Sequence, residues 1–281
     1  MKIYHLTWST IGRKTSFPEE ATRRAVLQDL GRVAGAHIVL FALVDDHNHI
    51  VLRLDPSQLR YVQCAITNVL NRRSTARFLP PKVVPVETRQ HTNRLVGYCL
   101  EQYEHHGLAD DAAIATGSCF PDLAGARRVP GLNLRILGAL PRFQLREAYA
   151  VVDIANELVP AADPVVRGLG PSRLAEAVAN TFGIGPGFSG NATVVARARR
   201  VAVRLAVDVG MRASDLAEVL QVTATAAARL ATRPVDPADL RAVRLRVALD
   251  LAAASRPPRP ILVGEAAESR YQPMDAGEIH M

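Results

Sequence analysis

The sequence predicts a mixed α+β protein, and two patterns along the chain indicate this class. Over the first hundred residues, short runs rich in β-branched and aromatic residues alternate with helical stretches. From about residue 145 onward, apolar residues recur only at helical spacing. The chain has 281 residues, of which 48% are hydrophobic, so it is long enough for one larger and one smaller domain. We therefore expect an α+β domain followed by an all-α domain.

Four strands and three helices are predicted in the first domain. The strands cover residues 3–10, 37–44, 47–54 and 83–86, and the helices cover residues 18–34, 57–73 and 92–106. The first helix is predicted to begin at a proline followed by two glutamates, and the second to begin at Asp55-Pro56-Ser57. Gly107 is expected to end the third helix. The order β-α-β-β-α-β plus a terminal helix is that of a ferredoxin-like sheet layered with helices.

The rest of the chain is predicted to be helical after a connector. Its helical stretches cover residues 145–159, 171–181, 191–209, 213–220, 224–231 and 236–254. Asn191 is the expected N-cap of the third stretch. The fourth and fifth stretches, with the turn between them, have the length of a helix-turn-helix. The expected domains are thus 1–125 and 145–255, with a connector at 126–144 and a disordered tail at 256–281.

Arginine supplies most of the positive charge. The formal net charge is +7 and the isoelectric point is near 9.8, while lysine occurs at only three positions. Because the planar guanidinium group suits phosphate recognition, a nucleic acid is the first expected partner, although genome base composition can produce the same bias. The three cysteines are widely spaced, which argues against disulfides and cysteine zinc sites. Without a signal segment or a spanning apolar run, a cytoplasmic, nucleoid-associated protein is expected, with no membrane partner.

Two short motifs carry the candidate chemistry. His47 and His49 are two residues apart in the third predicted strand, so their imidazoles point to the same face of the sheet. Tyr98 and Gln102 are four residues apart in the third predicted helix, so the phenol and the amide share one helix face. The imidazoles and the amide can hold a divalent ion, and the phenol can act as a nucleophile. Either motif alone also occurs as ordinary packing or surface residues, so the prediction depends on both together.

With these motifs in place, the first 125 or so residues resemble the HUH single-tyrosine transposases, the insertion-sequence-200-like class and its REP-associated relatives. The strand motif of that family, histidine-hydrophobic-histidine after a polar turn, is similar to residues 45–52. Its helix motif, a tyrosine four residues before a glutamine and then two histidines, is similar to residues 98–106. Residues 4–8 and 117–125 are also similar. The C-terminal helices resemble the replication-initiator-type DNA-binding domain of some relatives.

The resemblance implies metal-dependent cleavage and rejoining of single-stranded DNA, with hairpin DNA as the substrate. Tyr98 would attack a phosphodiester and form a 5′-phosphotyrosine, and His47, His49 and Gln102 would hold Mg²⁺ or Mn²⁺. A free phenol has a pKa of about 10 and is a poor nucleophile, so a bound ion has to compensate. The expected protein is a transposase or a domesticated relative. Whether it acts as a homodimer or alone stays open.

Asn48 departs from the family pattern, in which a hydrophobic residue stands between the two histidines. Its side chain points to the face opposite the metal ligands, where an unpaired buried amide would cost about 1–3 kcal/mol. This departure favours a second hypothesis, a non-catalytic DNA-binding regulator derived from a transposase. A third hypothesis is a metal-dependent nuclease that uses water as the nucleophile and leaves no protein-bound DNA.

Six residues of the second domain are predicted to bind DNA, including duplex DNA. They are Arg197, Arg199, Arg200, Arg204, Thr225 and Arg229. The arginines would neutralise backbone phosphates, so binding would fall steeply with salt. A solvated helix face explains the four arginines before residue 207 equally well.

The residues that flank the two motifs receive simpler predictions. His5 is expected to be an ordinary strand residue. Asp46 is expected in the turn before the strand, with a hydrogen bond to a ligand histidine as the alternative. His105 and His106 are expected on the solvated last turn of the helix, with a DNA contact as the alternative. Tyr103 is offset by five residues from Tyr98 and is expected to point away from the site.

Overall fold

A four-stranded antiparallel sheet forms the centre of the first domain in the computed structural model, which describes residues 1–106, 111–132, 134, 144–190 and 192–256. The strands are β1 (Lys2–Ser9), β2 (Ile38–Leu43), β3 (His47–Leu54) and β4 (Lys82–Val86). Their order in the sheet is β2-β3-β1-β4. Since β1 and β2 both run antiparallel to β3, they are parallel to each other with β3 between them. The predicted α+β class is confirmed.

The helices of this domain lie on both faces of the sheet. They are α1 (Glu20–Ala34), α2 (Leu59–Arg73), α3 (Arg89–His105) and the short α4 (Phe120–Leu123). Helices α1 and α2 contact each other, and Trp8 of β1 donates a hydrogen bond from its indole to Thr67 of α2 at 2.9 Å. Side chains alternate along a strand, so the neighbours of Trp8 in sequence point to the opposite face, where α3 packs. Helix α3 begins after Thr88, whose hydroxyl accepts a hydrogen bond from the backbone of His91.

Asn48 lies on the face that α1 and α2 cover. In the strand register it is directly opposite Trp8 of β1 and Leu43 of β2, and it is completely buried. Among the described residues, neither polar atom of its side chain has a hydrogen-bond partner. The Asn48 amide is therefore both buried and unpaired, which is the costly arrangement that its position between the two histidines suggested.

The second half of the described chain is helical, as predicted. Its helices are α5 (Leu145–Val151), α6 (Asp163–Gly168), α7 (Gly170–Phe182), α8 (Thr193–Asp208), α9 (Ala224–Ala231) and α10 (Pro237–Ala254). Helix α5 is shorter than predicted and is followed by Asp153, which has a positive φ of 58° that a helix cannot accommodate. No helix in the described ranges is long and apolar enough to cross a membrane.

The prediction of an α-helix at 213–220 is wrong. Only Ala213–Leu216 is helical there, as a 3₁₀ turn, and turns continue to Gln221, which has a φ of 53°. The Asp215 carboxylate accepts a hydrogen bond from the backbone N–H of Arg212 and pairs with its guanidinium, which caps this turn. The predictions for Gly107, Asn191, much of the connector and the tail from residue 257 lie outside the described residues.

Two hydrophobic clusters hold the described chain together. The first contains the sheet and extends to Ala148 and Tyr149 of α5, whereas the second lies among the helices from α6 onward. Helix α10 contributes to both, with Leu245 and Leu249 in the first cluster and Val243 in the second. Helix α5, which was predicted to open the second domain, thus packs in the core of the first.

We predict that Asn48→Leu will stabilise the protein. The substitution replaces an unpaired buried amide by an apolar side chain of similar shape, so the free energy of unfolding should rise by about 1–3 kcal/mol. Urea unfolding followed by circular dichroism measures the change. The control is Asn68→Leu on the exposed surface of α2, which should change stability by less than about 0.5 kcal/mol. A loss of stability in Asn48→Leu would show that the amide has a favourable role.

Candidate metal and tyrosine site

The fold brings both sequence motifs together on the α3 face of the sheet. Nε2 of His47 lies 3.3 Å from Oε1 of Gln102, and Nε2 of His49 lies 3.4 Å from the phenolic oxygen of Tyr98. His47, His49 and Gln102 are 5%, 2% and 1% exposed, while Tyr98 is half-buried. Two strand residues and two helix residues that are about fifty positions apart in sequence therefore form one cluster.

The amide of Gln102 is oriented by its own helix. Its Nε2 donates a hydrogen bond to the backbone oxygen of Tyr98 at 3.0 Å, so the amide oxygen faces the histidines. The Gln102 side chain also opposes the lowering of the pKa of His49. Because Gln102 follows Tyr98 by four residues in α3, its side chain lies beside Tyr98. The hydrogen bond to the Tyr98 backbone then fixes the direction of the Gln102 oxygen.

Asp46 holds the first histidine in place. Its Oδ1 lies 2.5 Å from Nδ1 of His47, and its Oδ2 lies 3.1 Å from the guanidinium of Arg13. Burial raises the pKa of Asp46, but the hydrogen bond from His47 and the charges of His47 and Arg13 outweigh it and lower the pKa overall. Asp46 lies in the turn before β3, as expected, and it also makes the hydrogen bond to a candidate ligand that was considered as the alternative.

His5 and Thr7 of β1 hold the second histidine in place. Nδ1 of His49 lies 3.0 Å from Nε2 of His5 and 3.2 Å from Oγ1 of Thr7. Burial lowers the pKa of His49 well below its usual value, and the neighbouring His5 and His47 lower it further. A neutral imidazole is the form that binds a metal ion. The prediction of an ordinary strand residue missed this contact of His5, which depends on the pairing of Thr7 with His49 between β1 and β3.

The donor atoms of the cluster fit a divalent ion. In the tautomer of His47 whose Nδ1–H donates to Asp46, Nε2 would carry a lone pair that faces the lone pairs of the Gln102 oxygen, whereas in the other tautomer Nε2–H would donate to that oxygen. Two acceptors that face each other repel unless a cation lies between them. Donors about 2.1 Å from an octahedral ion and at right angles to each other are about 3 Å apart, close to the observed separation. Two imidazoles and an amide oxygen are also ligands that Mn²⁺ and Mg²⁺ accept.

A row of five imidazoles runs through the site. Successive ring centroids are 5.2 Å (His5 to His49), 4.8 Å (His49 to His47), 4.5 Å (His47 to His106) and 5.0 Å (His106 to His105) apart. At the outer end of the row, one ligand atom each of Asp46, His47 and His106 lie within 4.8 Å of one another. His106 follows Gln102 by four residues, and this spacing is the signal that could have placed it beside the site.

Tyr103 points away from the cluster, as predicted. Its ring is buried, and its hydroxyl donates a hydrogen bond to the backbone oxygen of Leu43 at 3.1 Å. Tyr98 is therefore the tyrosine of α3 whose hydroxyl reaches the histidines.

Two of the predicted DNA-binding arginines make internal contacts. The guanidinium of Arg197 forms hydrogen bonds of 2.7 and 2.6 Å with Asp239 and lies over the ring of Phe182. Arg199 donates hydrogen bonds to the backbone oxygens of Leu220 and Phe188. These contacts give both side chains a structural role in the second cluster.

Three of the other four predicted DNA-binding residues are more accessible than Arg197 and Arg199. Arg204, Thr225 and Arg229 are exposed and Arg200 is half-buried. Arg204 forms an ion pair with Asp208 four residues later, at 2.9 Å. DNA binding by all six residues stays a prediction.

In comparisons with known proteins, no family model, no curated protein and no solved structure matches the chain. The function of the site has to be inferred from its own geometry. The resemblance to single-tyrosine transposases therefore depends on the two motifs. Both motifs lie on the same face of the sheet, with the phenol of Tyr98 beside the imidazole of His49.

We predict that His5 makes the folded protein sensitive to acid. Burial, together with the positive charges of His91 and Lys82, lowers the pKa of His5 from 6.5 to about 4. The unfolded chain therefore takes up this proton first, and stability is lost as the pH falls from 6.5 towards 4. The His5 contribution to this loss is up to about 3 kcal/mol.

Urea unfolding of wild type and His5→Gln at pH 7, 5.5 and 4 measures this effect. The variant lacks the titrating ring, so the stability difference between the two proteins should shift in favour of the variant as the pH falls. Parallel stability curves for the two proteins over this range would contradict the assignment.

Proposed function

We propose that the chain is a metal-dependent DNA strand transferase, a transposase or a domesticated relative of one. It would cleave and rejoin single-stranded DNA through a 5′-phosphotyrosine on Tyr98. The observation that carries this proposal is the position of the Tyr98 hydroxyl, 3.4 Å from Nε2 of His49 in the cluster that contains His47 and Gln102. The interleaved order β2-β3-β1-β4, with helices joining the parallel strands, supports a ferredoxin-like HUH arrangement.

His47, His49 and Gln102 would hold the divalent ion, at what we term the inner site. A bound Mg²⁺ or Mn²⁺ polarises a phosphodiester and neutralises the charge that develops on its oxygens. Asp46 and His5 would keep the two imidazoles oriented, because each contacts the ring nitrogen that faces away from the inner site. Burial of all three ligands excludes competing water from most of their surface.

Tyr98 would form and break the covalent bonds. Its phenolic oxygen would bond to the phosphorus, and the bond from phosphorus to the 3′ oxygen would break. The phenol loses a proton and the released 3′ oxygen gains one, so a free 3′-hydroxyl results. The phosphotyrosine is itself a phosphodiester, so the reverse attack by a 3′-hydroxyl rejoins the strand without a nucleotide cofactor. A long, packed helix fixes the nucleophile, which limits the entropy lost on reaching the reactive geometry.

Positive charge beside the site favours a nucleic-acid substrate. Lys82 is exposed on the edge strand β4 and pairs in register with Thr7, so it lies on the same face of the sheet as His49. His91 and Lys82 are close enough to His5 to affect its ionisation. Cations at this edge would attract the backbone of a single strand next to half-buried Tyr98. In the helical part of the chain, exposed Thr225 and Arg229 on α9 would contact duplex DNA.

A non-catalytic DNA-binding regulator is the second candidate function. It is favoured by Asn48, whose unpaired amide weakens the strand that carries both histidines. In that case the inner site would be a remnant, and the protein would bind DNA without binding the ion or forming a covalent product.

We predict that the protein forms a covalent adduct with single-stranded DNA in the presence of Mn²⁺. The probe is a pool of hairpin oligonucleotides with randomised flanks and a label at the 3′ end, because Tyr98 would retain the 5′-phosphate of the downstream fragment. Denaturing gel electrophoresis detects labelled protein. Tyr98→Phe should reduce the adduct at least about a hundredfold, since no other group supplies the bond to phosphorus.

Two matched pairs of variants test the assignment further. Tyr103→Phe, in the next turn of α3, should keep the adduct. Gln102→Leu should lose both the adduct and the binding of Mn²⁺, whereas Gln102→Glu, which retains an oxygen ligand, should keep Mn²⁺ binding. Undiminished adduct in Tyr98→Phe would refute the nucleophile. Cleavage without protein-bound DNA would indicate a water nucleophile, and wild type that binds DNA but no Mn²⁺ would indicate the regulator.

A further inference from the structure

We propose that Asp46, His47 and His106 form a second metal site, the outer site, for a transition-metal ion such as Zn²⁺. One ligand atom of each of these residues lies within 4.8 Å of the others. Two imidazoles and one carboxylate are a ligand set that Zn²⁺ favours, with a fourth position left for water or substrate. His106 is exposed at the end of α3, which gives an ion a route from solvent.

Only a small rearrangement is needed to form the outer site. Ligands of tetrahedral zinc are about 3.3 Å apart, so the 2.5 Å contact between Asp46 and His47 has to open by somewhat less than 1 Å. The other oxygen of Asp46 can keep its ion pair with Arg13, because that pair uses Oδ2 and not Oδ1. The rings of His47 and His106 are 4.5 Å apart between centroids, and the ligand atoms of the three residues, which lie within 4.8 Å of one another, have to approach to about 3.3 Å.

The inner and outer sites exclude each other because they share His47. A neutral imidazole has one nitrogen with a free lone pair. At the inner site His47 offers Nε2, and its Nδ1–H donates to Asp46. At the outer site it would offer Nδ1, and its Nε2–H would then donate to the Gln102 oxygen that lies 3.3 Å away. Each occupancy therefore needs the opposite tautomer of His47, and in both tautomers the second nitrogen has a partner.

Zinc at the outer site would therefore inhibit use of the inner site. Zn²⁺ binds nitrogen and oxygen ligands more tightly than Mn²⁺, so low concentrations of zinc would hold His47 in the tautomer that the inner site cannot use. This inhibition rests on the proposed function, because it requires an ion at the inner site. The outer site itself does not, since its ligands are defined without reference to DNA or to Tyr98.

The outer site is tested by titration with Co²⁺, which reports tetrahedral nitrogen and oxygen ligation through its visible absorption, and by competition with Zn²⁺. His106→Ala should weaken binding of both ions at least tenfold. His105→Ala is the matched control, because His105 adjoins His106 but does not belong to the outer site, and its binding should equal that of wild type. Gln102→Leu removes only the hydrogen-bond partner of His47 Nε2–H, so it should weaken binding of both ions less than His106→Ala does. Circular dichroism verifies that each variant is folded.

Equal binding by wild type and His106→Ala would overturn the outer site, and so would a loss in Gln102→Leu as large as in His106→Ala. The exclusion is measured by electron paramagnetic resonance of Mn²⁺. Zn²⁺ should release Mn²⁺ from wild type at a concentration at least tenfold lower than from His106→Ala, because in the variant zinc can compete only at the inner site, and release at equal concentrations would overturn the exclusion. Failure of the proposed function is seen separately, as wild type that binds Co²⁺ but neither Mn²⁺ nor DNA covalently.

Discussion

The contact between β3 and α3 is the constraint on which the site depends. It places a nitrogen of His47 and an oxygen of Gln102 3.3 Å apart, in a region where both side chains are almost fully buried. The residues next to His47 and Gln102 in the sequence do not create this environment. The alternation of β3 points the imidazoles to one face, and the packing of α3 on that face brings the amide to them. A metal ion, a phenol and a DNA strand could meet here only while this contact holds.

Burying polar side chains costs free energy unless each has a hydrogen-bond partner. In this site, the residues around the cluster supply those partners. Asp46 bonds to one imidazole, His5 and Thr7 bond to the other, and the backbone of Tyr98 bonds to the amide. On the inner side of the site, Nε2 of His47 and Oε1 of Gln102 face each other. The opposite face of β3 shows the contrast, because the amide of Asn48 is buried without such partners. The same strand thus carries a supported polar cluster on one face and an unsupported polar group on the other.

The sequence predicted the parts of this arrangement that depend on local pattern. The bounds of β3 and α9 agree with prediction, because alternation in a strand and helical spacing between caps are visible in the residues themselves. The pairing of Tyr98 with Gln102 follows from helix geometry in the same way. The contact of His5 with His49 depends on strand register and could not be predicted so directly, whereas the spacing of four residues between Gln102 and His106 could have placed His106 beside the site. Helical spacing also does not tell which core a helix joins, and α5, which was predicted to open the second domain, packs in the first cluster.

The central claim is that residues from β3 and α3 converge on one divalent cation. The most direct measurement is an anomalous-difference map from crystals of the zinc-free protein soaked in Mn²⁺. A single strong peak is expected within about 2.3 Å of His47 Nε2, His49 Nε2 and Gln102 Oε1. A map with no peak among these three atoms, or with manganese bound only elsewhere on the molecule, would contradict it.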